Sequence, residues 1–194
     1  TAGGSRSVPA TSARPELRAI EHMFATGGGG AGVSTATPRC PYGDAMTDLV
    51  TTAEQRQRYA NDGVTVVRGA CDPIWVERLR AVADRSMGER TPLTREYDSN
   101  TGGRFHAATF RWLGDPDLGA FVRESPAGRI AGELMGATTV SFFFDHLLVK
   151  EPGTGNPTPW HQDLPYWPVL GEQICSLWFA LDTVDDDNGA VRYV

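Results

Sequence analysis

Two apolar runs, Val140 to Val149 and Ile174 to Leu181, set the strongest limit on how this chain folds. Both are dense in β-branched and aromatic residues, which suit a pleated, extended backbone. Strict alternation along Thr138 to Lys150 assigns Phe142, Phe144, His146 and Leu148 to one face and Phe143, Asp145, Leu147 and Val149 to the other. Apolar side chains dominate both sets, so this strand is expected to be covered on both sides. Between the runs, Glu151 to Pro159 reads EPGTGNPTP, a turn-forming composition. That loop delivers Pro159-Trp160-His161-Gln162-Asp163 to the expected start of the next strand.

His161 and Asp163 draw attention by their spacing. In extended backbone, side chains at i and i+2 leave the same face roughly 6 to 7 Å apart, close enough to meet on one ion. An imidazole and a carboxylate, joined by a second histidine from elsewhere, form the facial arrangement that holds non-haem Fe(II). The chain has four histidines and none follows His161. An H-x-D pair alone carries little weight, since a chain of this composition offers ~0.3 by chance. Its flanks carry more.

Composition narrows the partners. With 194 residues, of which 40% are hydrophobic, the chain has enough apolar material for the core of one domain. A net charge of -6 and a pI near 5.2, with no basic patch, argue against a phosphate backbone as partner. Cys40, Cys71 and Cys175 are odd in number and widely spaced, as in a reducing compartment. No apolar run approaches the ~18 residues of a membrane span, and the opening residues lack the apolar core of a secretory signal. A cytoplasmic protein acting on a small molecule is the expectation, with no nucleic acid, no membrane and an undefined oligomeric state.

Residues 1–45 contain Gly27-Gly28-Gly29-Gly30 and scattered Ser, Thr and Pro, and are expected to be a disordered or non-native leader. Met46-Thr47-Asp48 resembles a protein start, so the domain is assigned to residues 46–194. A short helix over Thr52 to Tyr59, a turn at Asn61-Asp62-Gly63 and a strand over Val64 to Val67 follow. Asp72-Pro73 caps a helix to about Met87, with Ile74, Val76, Leu79, Val82 and Ala83 near helical spacing. Glu89 to Gly114 has no clean period and reads as a lid or binding loop carrying His106. Further helices begin at Asp115-Pro116-Asp117 and Ser125-Pro126, the second reaching about Met135. Asp182, Asp185, Asp186 and Asp187 lack the register of a calcium loop and read as solvated. Asn188-Gly189 then turns the chain into a returning strand over Ala190 to Val194.

The continuous run from Phe142 to Val194, FFFDHLLVKEPGTGNPTPWHQDLPYWPVLGEQICSLWFALDTVDDDNGAVRYV, resembles the phytanoyl-CoA dioxygenase family of Fe(II)- and 2-oxoglutarate-dependent oxygenases. The resemblance implies an α+β, mainly β fold: a double-stranded β-helix, or cupin-like jelly roll, with helices before it. It makes His161 and Asp163 the first two ligands of Fe(II). Trp178, and with less support Lys150, fall beside the co-substrate 2-oxoglutarate. Tyr166, Trp167 and His106 are candidates for the substrate pocket. Iron, 2-oxoglutarate and O2 then supply an oxidant that hydroxylates an unactivated C–H bond of a small organic substrate. The family's distal histidine and its 2-oxoglutarate-binding arginine have no counterpart before Val194, so only the first part of the barrel is expected here, in a fragment inactive alone. Two other readings fit the same pair: a zinc-type metal hydrolase, or a non-enzymatic jelly-roll binding module completed by a partner chain.

Overall fold

The two apolar runs form strands that do not pair with each other. In the computed structural model, which describes residues 17–25, 49–97, 101–155, 157–169, 171 and 173–194, a strand from far upstream lies between them. That strand is β1 (Leu17–Ala25), followed in chain order by β2 (Thr94–Tyr97), β3 (Phe105–Thr109), β4 (Ser141–Lys150) and β5 (Ile174–Ala180). The sheet runs β2-β3-β4-β1-β5 with every neighbouring pair antiparallel, and it does not close on itself. The expectation that residues 1–45 are disordered therefore fails for residues 17–25. The remainder of that stretch lies outside the described residues.

The sequence LRAIEHMFA makes β1 central because it is apolar on both faces and free of Gly and Pro. Its Ile20, His22 and Phe24 face the helices. Its Leu17, Ala19, Glu21 and Met23 face the opposite, open side. Arg18 fastens the strand at its start: Nε and Nη2 donate to the two oxygens of Asp182 at 3.0 Å, its backbone N–H donates to the same carboxylate, and Nη1 donates to Asp84. Arg80 approaches Asp182 as well, so this aspartate is a half-buried anchor rather than part of a solvated acidic loop. Asp185 likewise accepts from the backbone of Asp187 and Asn188, holding the turn.

Four helices cover one face: α1 (Ala53–Asp62), α2 (Pro73–Met87), α3 (Pro116–Glu124) and α4 (Ala127–Met135). Their starts follow the sequence signals. Thr52 and Gln55 form a capping box, and Asp72 and Asp115 each cap a helix whose first residue is proline. In α2 the residues Leu79, Val82, Ala83 and Ser86 are buried at helical spacing, and the first three pack with Phe121, Ile130, Leu147 and Val149 into one core. Glu133 accepts from Val50 N, Thr51 N and Thr51 Oγ1, which docks the entry of α1 on α4.

Three other expectations change. Val64 to Val67 and Ala190 to Val194 are irregular and join no strand among the described residues. Glu89 to Gly114 is not one loop but holds β2, β3 and a 3-10 turn at Arg111–Leu113. Along β4 the strict alternation breaks, because Met23 pairs with Phe144 while Phe24 pairs with Phe142, leaving Phe143 as the extra residue of a bulge. Phe142 consequently turns to the helix side and meets Phe24 and Trp112 edge-on, away from Phe144.

Candidate metal centre

Across the open face, cross-strand pairing sets side chains in rows. Glu21 pairs with His146 on one side and Trp178 on the other, and Leu17 pairs with Lys150. Directly opposed residues of antiparallel strands share a face, so Glu21, His146 and Trp178 stand together. The segment from Pro157 to Val169 passes over this face.

That segment carries the H-x-D pair in a different backbone from the one anticipated. No strand begins at His161. Asp163 is helical, with φ -74 and ψ -41, and leads into a 3-10 turn at Leu164–Tyr166. The two side chains still meet, with His161 Nε2 3.1 Å from Asp163 Oδ1. His161 Nδ1 lies 2.7 Å from the Pro159 carbonyl oxygen, which only accepts, so Nδ1 carries the proton and donates. In the neutral ring this leaves the Nε2 lone pair directed at the carboxylate. Such a bond to the second nitrogen is how metal-binding histidines are oriented. Two donors each ~2.1 Å from one ion at a right angle lie about 3 Å apart, which is the separation found. An imidazole and a carboxylate oxygen, with no thiolate, suit Fe(II). The residues therefore fit a divalent ion at two points. Among the described residues no three His, Cys, Asp or Glu side chains are placed to hold one.

The surroundings are unusually rich in ionisable groups. Glu21 meets Asp163, and burial first, then the Asp163 charge, pushes its carboxyl well above the usual carboxylate range. Burial lowers His146, against the pull of Asp163. Tyr166 stands edge-on to His161 with ring centres 6.2 Å apart, and Trp167 packs edge-on to Phe144 at 6.0 Å. His161 and Asp163 themselves are 41% and 36% exposed, so solvent reaches the pair.

Lys150 and Trp178 come together further along the same face. They line a cavity of about 60 Å³ with Leu17, Ala19, Thr158 and Gly189. Gly189 keeps it open: at φ +111, a Cβ there would meet Leu17 Cδ2 at 2.8 Å. Lys150 Nζ donates to Thr158 Oγ1 at 3.3 Å and sits 4.7 Å from the Phe105 ring centre, and burial lowers its pKa.

His106 is elsewhere. It is fully buried on the helix side of β3, with Nε2 2.9 Å from Ser86 Oγ and Nδ1 2.7 Å from Glu96 Oε1. Both ring nitrogens are engaged in tying α2 to β2 and β3, on the opposite side of the sheet from His161. A place in the substrate pocket is incompatible with that position.

A family model described as phytanoyl-CoA dioxygenase (PhyH) matches residues 59–194, well over half of the chain. The chain belongs to the phytanoyl-CoA dioxygenase family. Neither a curated protein nor a solved structure gives a match. The family segment takes in β2 to β5, all four helices except the first turns of α1, and the His161–Asp163 pair. It leaves out β1, the strand that joins β4 to β5 and carries Glu21. Among the described residues no helix is long and apolar enough to cross a membrane. Glu21 and Ser176 are the site neighbours that sequence reasoning missed. The signal for Glu21 was the two-faced apolar pattern of LRAIEHMFA, hidden by the Gly-rich stretch after it.

Proposed function

We propose that this phytanoyl-CoA dioxygenase family chain is an Fe(II)- and 2-oxoglutarate-dependent oxygenase that hydroxylates a small organic substrate. The convergence of His161 Nε2 and Asp163 Oδ1 within 3.1 Å, inside the family-matched segment, carries this reading. When bound, iron with 2-oxoglutarate and O2 supplies the oxidising chemistry. The chain's own residues do the rest. His161, oriented by the Pro159 carbonyl, and Asp163 hold the ion. Lys150 offers a positive charge to a carboxylate of 2-oxoglutarate in a setting whose apolar walls strengthen the pairing, and Trp178 forms one of those walls. Tyr166 and Trp167 flank the approach for substrate. We read this open five-stranded sheet, in which β4 and β5 are separated by one antiparallel strand, as the first part of a double-stranded β-helix.

Solvent access to the pair bears on turnover. An oxidant formed where water enters freely is lost to side reactions, so the chain alone is expected to bind Fe(II) and 2-oxoglutarate without productive hydroxylation. Anaerobic calorimetry of 2-oxoglutarate into the chain, with and without Fe(II), tests the reading. Binding that needs Fe(II), vanishes in His161→Ala and weakens roughly 10- to 100-fold in Lys150→Met is the expected result, the range of one lost charged hydrogen bond. Fe(II) binding with no effect on 2-oxoglutarate would contradict it and favour a hydrolytic metal site.

A further inference from the structure

Beyond the cavity the open face continues as a row of side chains. Tyr97 on β2 pairs with Phe105 on β3, Phe105 pairs with Lys150 on β4, and Lys150 pairs with Leu17 on β1. Directly opposed residues share a face, so these four stand side by side. The Lys150 ammonium lies over the Phe105 ring at 4.7 Å from its centre, inside the ~6 Å reach of a cation–π contact. Tyr97 packs against the same ring, with centres 4.9 Å apart. The backbone beneath is pinned where β3 begins and β4 ends. Glu151 N–H donates to the Arg104 carbonyl oxygen at 2.9 Å, and Arg104 N–H donates to the Glu151 carboxylate at 3.1 Å. On the reverse face His106, the next residue of β3, is tied to Ser86 and Glu96. Phe105 thus has a fixed place beside Lys150.

The charge of Lys150 is otherwise thinly compensated. Thr158 Oγ1 takes one of its three donors, and no carboxylate pairs with it among the described residues. Burial disfavours its charged form. An ammonium withdrawn from water is where a ring face attracts most strongly. A carboxylate in the place of the ring would also stabilise the charge, but it would neutralise it and compete with an incoming anion. A ring does neither.

We propose that Phe105 is a positioning residue for Lys150: its ring holds the ammonium charged and in place at the cavity without neutralising it, leaving donors for a carboxylate of 2-oxoglutarate. The inference rests on the functional reading above, in which Lys150 receives that carboxylate, and adds the residue that prepares Lys150 for it.

Anaerobic calorimetry of 2-oxoglutarate into the Fe(II)-loaded full chain tests this across a set of variants. Phe105→Leu removes the ring but stays apolar, Phe105→Tyr keeps the ring, and Lys150→Met removes the charge. The expected result is binding roughly 3- to 10-fold weaker in Phe105→Leu and within about twofold of the unmodified chain in Phe105→Tyr. Phe105→Leu combined with Lys150→Met should bind no more weakly than Lys150→Met alone, because the ring acts through the lysine. The metal-free chain gives a second readout by NMR: ring current shifts the Lys150 Hε protons upfield, and Phe105→Leu abolishes the shift. Binding by Phe105→Leu within about twofold of the unmodified chain overturns the positioning role and leaves the functional reading intact. So does an equal loss in both lysine backgrounds, an equal loss in Phe105→Tyr, or the absence of the upfield shift. Unweakened binding by Lys150→Met, or no Fe(II)-dependent binding by the unmodified chain, overturns both.

Discussion

His161 and Asp163 meet through a helical residue and a carbonyl contact rather than through strand alternation. Their i, i+2 spacing was enough to mark them, because several backbone shapes bring such side chains together. His22 shows the reverse case, a histidine no motif would single out. It is fully buried, ringed edge-on by Phe121, Phe142 and Phe179, and neither ring nitrogen has a hydrogen-bond partner among the described residues. Burial pushes its pKa down to about 3. The folded pKa lies below the unfolded value near 6.5, so the stability tied to neutral His22 is present above pH 6.5 and is lost as pH falls toward 3. His22→Leu is expected to stabilise the protein at pH 7.5 by roughly 1 to 3 kcal/mol, the cost of unsatisfied buried polar atoms. At pH 5 the advantage should grow by about 2 kcal/mol. Urea unfolding at both values measures this, and a gain that stays constant with pH would contradict the account.

β1 is the element that joins β4 to β5 in the sheet, and its ties are concentrated in few groups. Arg18 and Asp182 are 18% and 16% exposed, whereas the helical pair Arg58 and Glu54 is 58% and 83% exposed. Arg18→Ala leaves a shielded carboxylate with less compensation and should cost roughly 1.5 to 3 kcal/mol. Arg58→Ala should cost less than about 0.5 kcal/mol. Equal losses in chemical unfolding would mean that Arg18 does not anchor the strand. The helices were legible because their starts carry side-chain caps and proline, signals that act within four residues. β4 and β5 were legible from β-branched and aromatic density. Their separation was not, since strand order comes from long-range pairing that alternation does not encode. The bulge at Phe143 was hidden for the same reason: only the partner register at Met23 and Phe24 reveals it. β2, four residues reading Thr-Arg-Glu-Tyr, has too few apolar positions to stand out from a loop.

The molecule as a whole is a two-sided sheet with unequal sides. Helices seal one face around Phe121, Leu79 and Ile130, while the other gathers His161, Asp163, Glu21, His146, Lys150 and Trp178 under a partial cover. Polar chemistry is thereby separated from the face that stabilises the fold, so substitutions at the pair should alter ion binding more than folding. The exposed Trp160, Tyr166 and Tyr193 border that open face, where apolar surface remains for substrate or further structure to cover. The most direct test is a crystal of the full chain grown with cobalt(II), its ion located by anomalous scattering. The account predicts one strong peak about 2.1 Å from both His161 Nε2 and an Asp163 oxygen. An ion bound elsewhere, or none at saturating cobalt, would contradict it.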